Sequence, residues 1–496
     1  MILFTLILLP FTYLMLSLLI TNTQVKKLLA LIFATVNLAW VVMVLVRVST
    51  EEMLVVNMGS WPAPYGITLA ADRFSAFMLV IAAFVFLLVS YYSSQSIDRE
   101  RRNNGHFFYS FGILMGVNGS FIAGDIFNLY VWFEVMLISS FILMGLGGER
   151  KQLEGSIKYL ILNLIGSMFF LAGIGLLYGK VGTLNMADIA SRISLAGDNF
   201  AALNPALILI VVGFSIKGAL FPFFFWLPAS YHTPPPAVTA LFAGLLTKVG
   251  IYSLIRIFTL FLFHDYAFWS NVVFWMGGLS MVVGVIAASA QMELRKILAF
   301  HIISQSGYMA IALGFFTEAG IAAAIFFTAH NMLSKTNAFL VAGWVHRERG
   351  TLNLKILGDM FQRSPLWGVL FFISAFSLAG LPPLSGFFGK FMVLKAGVES
   401  RHILISMVAL FVGLITLFSM VKIWLEVFWK LPPSEKVRTM TYKVKPSGRM
   451  LAASTIMACA IIAMGLFANS IGNYCTLAAR DLLNPQKYIS YVLENK

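Results

Sequence analysis

Apolar runs of about 20 residues recur along nearly the whole chain and are separated by short polar stretches. This pattern predicts an all-α polytopic membrane protein of about fourteen transmembrane helices. The expected spans are 2–22, 28–46, 74–94, 106–124, 126–147, 156–178, 204–230, 236–262, 267–290, 297–316, 319–345, 366–397, 402–428 and 450–472. Two spans carry backbone breakers at membrane depth. The seventh is interrupted at Pro222 and Pro228, and the twelfth at Gly380-Leu381-Pro382-Pro383. Proline removes a backbone donor, and the freed carbonyls are tolerated only where protein or a watery cavity satisfies them. The two breaks lie five spans apart and run in opposite directions, the mark of an inverted-topology repeat. The expected units are spans 4–8 and 9–13. The chain then divides into 1–105 (spans 1–3), 106–262 (first five-helix repeat), 263–428 (second five-helix repeat) and 429–496 (a cytoplasmic loop, span 14 and an external tail).

Composition agrees with the pattern. Of 496 residues 59% are hydrophobic and 11% charged, and the mean hydropathy is +0.86, far too apolar for a soluble domain. A net charge of +14 raises nucleic acid as a partner, but the basic residues sit in short loops between spans. Twenty of them, among them Lys26, Arg99, Arg102, Lys436 and Arg438, fall in odd-numbered loops, against nine in even-numbered loops and the tail. The positive-inside rule makes the odd loops cytoplasmic, places both termini outside and excludes a nucleic-acid function. Cys459 and Cys475 form no disulfide framework, iron–sulfur motif or zinc spacing. Residues 1–22 lack a basic leader and a small-residue cleavage site, and are expected to be a retained first span.

Six basic residues fall inside spans, and a lysine at the bilayer centre costs roughly 2.5–3.5 kcal/mol on the gentler insertion scale. Lys217 and Lys248 flank the first break, and Lys390 follows the second. His330 and Lys335 lie mid-span in FFTAHNMLSKTNAF, with Asn331 and Ser334 between them to bridge by water. Glu134 sits at a depth similar to that of Lys217, so that the two could meet. Desolvation disfavours a charged amine and a nearby carboxylate favours it, so a changing charge environment would switch such a lysine between holding and releasing a proton. Arginine does not offer this chemistry. Glu134, Lys217, Lys248, His330, Lys335 and Lys390 are therefore the candidate proton path. Arg256 and Lys422, near span ends, are read as snorkelling side chains, with Glu426 one turn beyond Lys422. His301 is read as a satisfied polar residue and His232 as an ordinary loop residue. No metal site, cofactor site, phosphate loop or dinucleotide fingerprint is expected. The series favours protons over Na⁺, because a sodium site needs several oxygen ligands and a lysine-rich path repels cations.

These residues have a family resemblance. Glu134 in WFEVM, Lys217 ahead of a proline, Lys248, and Lys390 after LPPLSGF, set among fourteen spans with broken helices seven and twelve, resemble the antiporter-like subunits of respiratory complex I and the Mrp-type cation/proton antiporters. Residues 60–78, 127–141 and 482–492 look most like the Mrp branch. The chain ends soon after span fourteen without the long lateral helix of the largest complex I subunit of this type. The resemblance implies a transporter subunit, not an enzyme, translocating protons within a multi-subunit Na⁺/H⁺ antiporter of a bacterial cytoplasmic membrane. Its partners would be the other subunits and the lipid bilayer, with Na⁺ carried elsewhere in the complex. Glu134 and Lys217 would be the coupled pair, Lys248 the link to the cytoplasm, His330 and Lys335 the central axis, and Lys390 the way to the exit or a neighbouring subunit. The alternative is a proton-pumping subunit of a respiratory NADH dehydrogenase or membrane-bound hydrogenase. From another class, a haem-bearing cytochrome is the rival, with seven histidines to draw on.

Overall fold

The computed structural model describes residues 2–196, 201–433 and 448–494. The N-terminal helices are α1 (Ile2–Leu19), α2 (Thr23–Glu51), α3 (Arg73–Ser96) and the short α4 (Arg99–Asn103). Then come α5 (His106–Ile122), α6 (Ile126–Gly145), α7 (Arg150–Val181), α8 (Met186–Ala196), α9 (Asn204–Lys217), α10 (Trp226–Ser230) and α11 (Pro236–Phe261). The next group is α12 (Tyr266–Ala290), α13 (Leu294–Gly314), α14 (Glu318–Arg349), the one-turn α15 (Met360–Arg363), α16 (Pro365–Ala379), α17 (Ser385–Glu399) and α18 (Ile403–Ile423), which runs on into a π-helical turn. The C-terminal helices are α19 (Gly448–Leu466), α20 (Ala468–Leu482) and α21 (Pro485–Leu493). Among the described residues the one β-element is an antiparallel hairpin, β1 (Met53–Asn57) with β2 (Thr68–Asp72), pairing Met53 with Asp72 and Asn57 with Thr68. It lies between the second and third expected spans.

Ten of these helices are long and apolar enough to cross a membrane, and the chain is a multi-pass membrane protein. The longest internal helix after α7, α14, is not one of them, because His330, Asn331, Ser334, Lys335 and Asn337 interrupt its apolar run. Protein rather than lipid surrounds it. Every residue of α14 from Gly320 to Val345 is buried, as is every residue of α11 from Ala237 to Phe261. These two helices pack on each other at the centre, with α3, α13, α16, α17, α19 and α20 around α14 and α9 against α11. A helix enclosed on all sides can carry polar groups that a lipid-facing helix cannot.

Both expected breaks are present. The first separates α9 from α10, and its freed groups are satisfied by side chains. Ser280 Oγ accepts from Phe221 N at 2.8 Å, and Trp226 Nε1 donates to Ile216 O at 2.8 Å. The second separates α16 from α17, with Gly380 in the left-handed region (φ 93°) and Gly380 N and Leu381 N turning back to Phe376 O. Each break needs a glycine opposite it. A Cβ on Gly250 of α11 would lie 2.6 Å from Gly218 N, and one on Gly386 would lie 1.7 Å from Ser377 O.

The expected span 14 ends early, at Leu466 rather than 472, and the tail folds as α20 and α21, which dock on α14, α3 and α8. At one end of the bundle, contacts link the turns. Thr23 meets Asn103, Arg101 meets Glu149, and Arg295 Nη1 donates to Pro234 O. At the other end the hairpin, Asp125, Asn185 and the tail come together. The loop cations Lys436, Arg438, Lys443 and Lys445 lie outside the described residues.

Candidate functional site

A row of buried amines crosses the middle of the bundle. Lys217, the last residue of α9, donates from Nζ to Ser167 Oγ at 2.9 Å and Asn163 O at 3.2 Å, both on α7. Its ammonium lies 5.8 Å from the centre of the Phe133 ring. A cavity of about 20 Å³, lined by Lys217, Tyr159, Asn163, Phe133, Trp226 and Leu246, opens beside it. That is room for about one water molecule. Tyr159 Oη is 2.7 Å from Ser140 Oγ on α6.

Glu134 does not pair with Lys217. The structure places it half-buried on α6, its Oε1 enclosed without a hydrogen-bond partner among the described residues, while Lys217 turns to α7. Its field still reaches Lys217, Tyr130 and Tyr159. Sequence depth locates a residue along a helix but not around it, so similar depth left the facing direction open.

The rest of the row clusters around α14. Lys248 of α11 donates to Ala243 O at 2.9 Å and Thr247 Oγ1 at 3.2 Å. Lys335 donates to Leu298 O of α13 at 3.3 Å. His330 Nδ1 is 2.9 Å from Ser385 Oγ, at the start of α17, and 3.2 Å from Ser334 Oγ. Ser334 therefore serves His330 directly. Lys390 donates to Ala379 O at 2.8 Å, capping the carbonyl that the second break releases, and sits 5.3 Å from the centre of the Tyr308 ring. Lys248, Lys335 and Lys390 lie within electrostatic reach of His330, and Lys248 and Lys390 within that of Lys335. None of the four lysines makes an ion pair among the described residues.

Two readings of single residues change. His301 is not a satisfied polar side chain. It is fully buried on α13, within reach of Lys335 and Lys390, and both ring nitrogens lack a partner among the described residues. Gln305 Nε2, Asn331 Oδ1 and His330 Nε2 are enclosed nearby in the same condition, a polar concentration on α13 and α14 that only the three-dimensional structure assembles. Arg256 does not snorkel. It is buried, with Nη1 2.6 Å and Nη2 2.8 Å from the two Asp72 oxygens, further bonds to Ser75 and Tyr252, and Tyr488 of the tail over its guanidinium. Lys422 stays part-exposed near its span end, and its ammonium caps Ser289 O and Gln291 O at the end of α12, at 2.9 Å each, where the helix dipole favours a cation, while Glu426 pairs with Lys430. His232 is as expected a turn residue. Its Nδ1 is 3.0 Å from Pro228 O, and burial, with Lys296 nearby, pushes its pKa down to about 4.

Residues 123–416 match the family model described as NADH:quinone oxidoreductase/Mrp antiporter, transmembrane. The chain is 42% identical over 463 residues to the Na⁺/H⁺ antiporter D subunit of Alkalihalophilus pseudofirmus, covering 93% of each chain. It is 40% identical over 453 residues to the Na⁺/H⁺ antiporter D subunit of Bacillus subtilis, covering 90% of each. A chain in the solved structure of the Mrp complex from Dietzia sp. superposes with a TM-score of 0.91 at 28% identity, covering 99% of each chain.

Proposed function

This chain belongs to the NADH:quinone oxidoreductase/Mrp antiporter family of membrane subunits, and on that premise we propose that it is the D-type, proton-translocating subunit of a bacterial multi-subunit Na⁺/H⁺ antiporter. The observation that carries the reading is the row Lys217, Lys248, Lys335 and Lys390, in which every buried ammonium is held by neutral oxygens alone. A carbonyl or hydroxyl steadies the charged amine without locking the proton in place, as a paired carboxylate would.

Protons pass along this row. Glu134 reaches Lys217 through its field, and the small cavity beside Tyr159 holds the water that links Lys217 to its surroundings. A proton arriving on Lys335 repels charge on Lys248 and Lys390, which lie within its electrostatic reach. His330 and His301, with their enclosed nitrogens, relay between the amines through water. Lys390 borders a cavity of about 240 Å³ between α17 and α18, where Phe391, Leu410 and Leu414 are exposed, and leads toward a neighbouring subunit. Na⁺ passes elsewhere in the complex.

The bundle makes fourteen crossings as two inverted five-helix units, residues 106–262 and 263–428, framed by 1–105 and 429–496. Several matches support this. α7 and α14 are both 32 residues long and both end on a left-handed glycine, Gly182 and Gly350. Asp125 caps α6 and bridges to Asn185, and Glu293 caps α13 and bridges to Asn353. Asp125 to Glu293 and Asn185 to Asn353 are both steps of 168 positions, and the two bridges lie at opposite ends of the bundle. The end carrying Arg99, Arg101 and Arg295 is cytoplasmic, and the hairpin and both termini are external.

The test is Na⁺/H⁺ exchange in everted vesicles from cells expressing the whole antiporter, with subunit assembly measured alongside. Glu134→Ala should cut exchange at least tenfold and Lys335→Ala should abolish it, each in an intact complex. Normal exchange in an assembled Lys335→Ala complex would overturn the proposal.

A further inference from the structure

Two cavities meet at Arg102, on the end of the bundle that carries the α1–α2 turn. One, of about 510 Å³, is polar and lined by Thr21, Asn22, Thr23, Gln24, Arg99 and Arg102. The other, of about 300 Å³, runs between α1 and the start of α5, with Tyr13, Leu18, Phe107, Phe108 and Tyr109 on its walls and Lys26 at its rim. Cations gather where they join. Lys26, Lys27, Arg99 and Arg102 make no ion pair among the described residues, whereas Arg101 beside them is paired with Asp98 and Glu149. Lys27 lies in the positive fields of Arg449 and Arg102. Arg102 spends one Nη1 bond on Ser94 O at 3.3 Å, and its enclosed Nε has no hydrogen-bond partner among the described residues. Like charges held together without a carboxylate call for an anion, and a guanidinium is suited to phosphate oxygens. The aromatic slot next to the charges calls for an apolar chain on that same anion.

We propose that this double cavity binds an anionic phospholipid, with its phosphodiester between Arg102 and Lys26 and an acyl chain between α1 and α5. The polar cavity takes the remainder of the headgroup; the start of α2 lines it and the start of α5 lines the slot beside it, each with its positive end. The site lies away from the amine row and does not depend on the proton reading.

Site-directed photo-crosslinking of the assembled complex tests it. A p-benzoylphenylalanine replaces Leu18, at the mouth of the slot, and the complex is reconstituted in vesicles of equal phosphatidylglycerol and phosphatidylcholine. Phosphatidylglycerol adducts on that peptide should exceed phosphatidylcholine adducts about tenfold. In Lys26→Gln/Arg102→Gln the ratio should fall to about one, and in Lys158→Gln, on α7 and outside the site, it should not change. If the double variant does not assemble, Lys27→Gln should still lower the ratio about threefold. Equal capture of the two lipids by the unaltered site would overturn the proposal, as would an unchanged ratio in the variants. Displacement of the lipid by about 10 mM inorganic phosphate would make it a simple anion site, and capture of another subunit would make it a protein interface.

Discussion

Two sets of buried cations in the protein are treated in opposite ways. Toward the end that carries the hairpin, Arg256 is matched by Asp72 in a two-pronged pair, with Ser75, Tyr252 and Tyr488 closing around it. In the middle, four lysines make no ion pair among the described residues, each steadied by a carbonyl or a hydroxyl. Arginine keeps its proton under all physiological conditions, so the first arrangement is a fixed clamp joining α3, α11 and the tail. Lysine gives up its proton readily when buried, and a neutral oxygen does not prevent it. Burying a charge therefore has two uses here, fastening and carriage, and the partner distinguishes them.

The comparison is broken most forcefully by removing one member from each region. Asp72→Ala leaves a buried guanidinium unpaired, which costs about 3–5 kcal/mol. The expected result is a large loss of assembled subunit in membranes, measured by blue-native gels. Lys248→Met removes a charge with no counter-charge, so assembly should stay near normal while exchange falls at least tenfold. A more moderate effect is expected from Gly386→Ala. A Cβ there meets Ser377 O and lies 2.8 Å from His330 Cε1, forcing α16 and α17 apart at a cost of about 1–3 kcal/mol. Exchange should drop several-fold, with a lowered melting temperature of the purified complex.

The smallest effect belongs to the tail, a half-buried counterpart of the clamp. Lys487 pairs with Glu52 and Asp481, and Arg73 with Asp481 and Glu52. The hydrogen bond from Lys487, and then Arg73, hold the Glu52 carboxyl below its usual range. Burial works against the charge on Lys487, but Asp481 and Glu52 more than offset it and raise its pKa. A depressed carboxyl stabilises above its unfolded value near 4.3 and loses this as pH falls through the folded one. A raised amine stabilises below about 10.4 and loses this as pH rises through its folded value. Protection of the tail from protease should therefore be greatest between roughly pH 5 and 9. Lys487→Gln should reduce it by no more than about 1 kcal/mol.

Much of the framework is legible in the chain because lipid imposes length and apolarity on any helix it touches. The breaks at Pro222 and Gly380-Leu381-Pro382-Pro383 were readable for the same reason, since proline and glycine act locally. What escaped depends on direction and on distant partners. Asp72 is 184 positions from Arg256, and no periodicity links them. His301 looks ordinary on α13 until α14 and α17 bring Lys335 and Lys390 near it. The β1–β2 hairpin is two strands of five residues in a stretch too short and polar to register as a span. α14 shows the limit from the other side, for it is the least apolar of the central helices because it carries the candidate site.

The most direct test exchanges the two chemistries. Lys217→Arg keeps the charge and approximate length but cannot release a proton at physiological pH. Arg256→Lys keeps a cation opposite Asp72 and loses one prong of the clamp. In everted vesicles with equal complex content, Lys217→Arg should reduce Na⁺/H⁺ exchange nearly as far as Lys217→Ala, while Arg256→Lys should retain most of it. Near-normal exchange by an assembled Lys217→Arg complex would contradict the account, because Lys217 would then be a fastening like Arg256 and not a carrier.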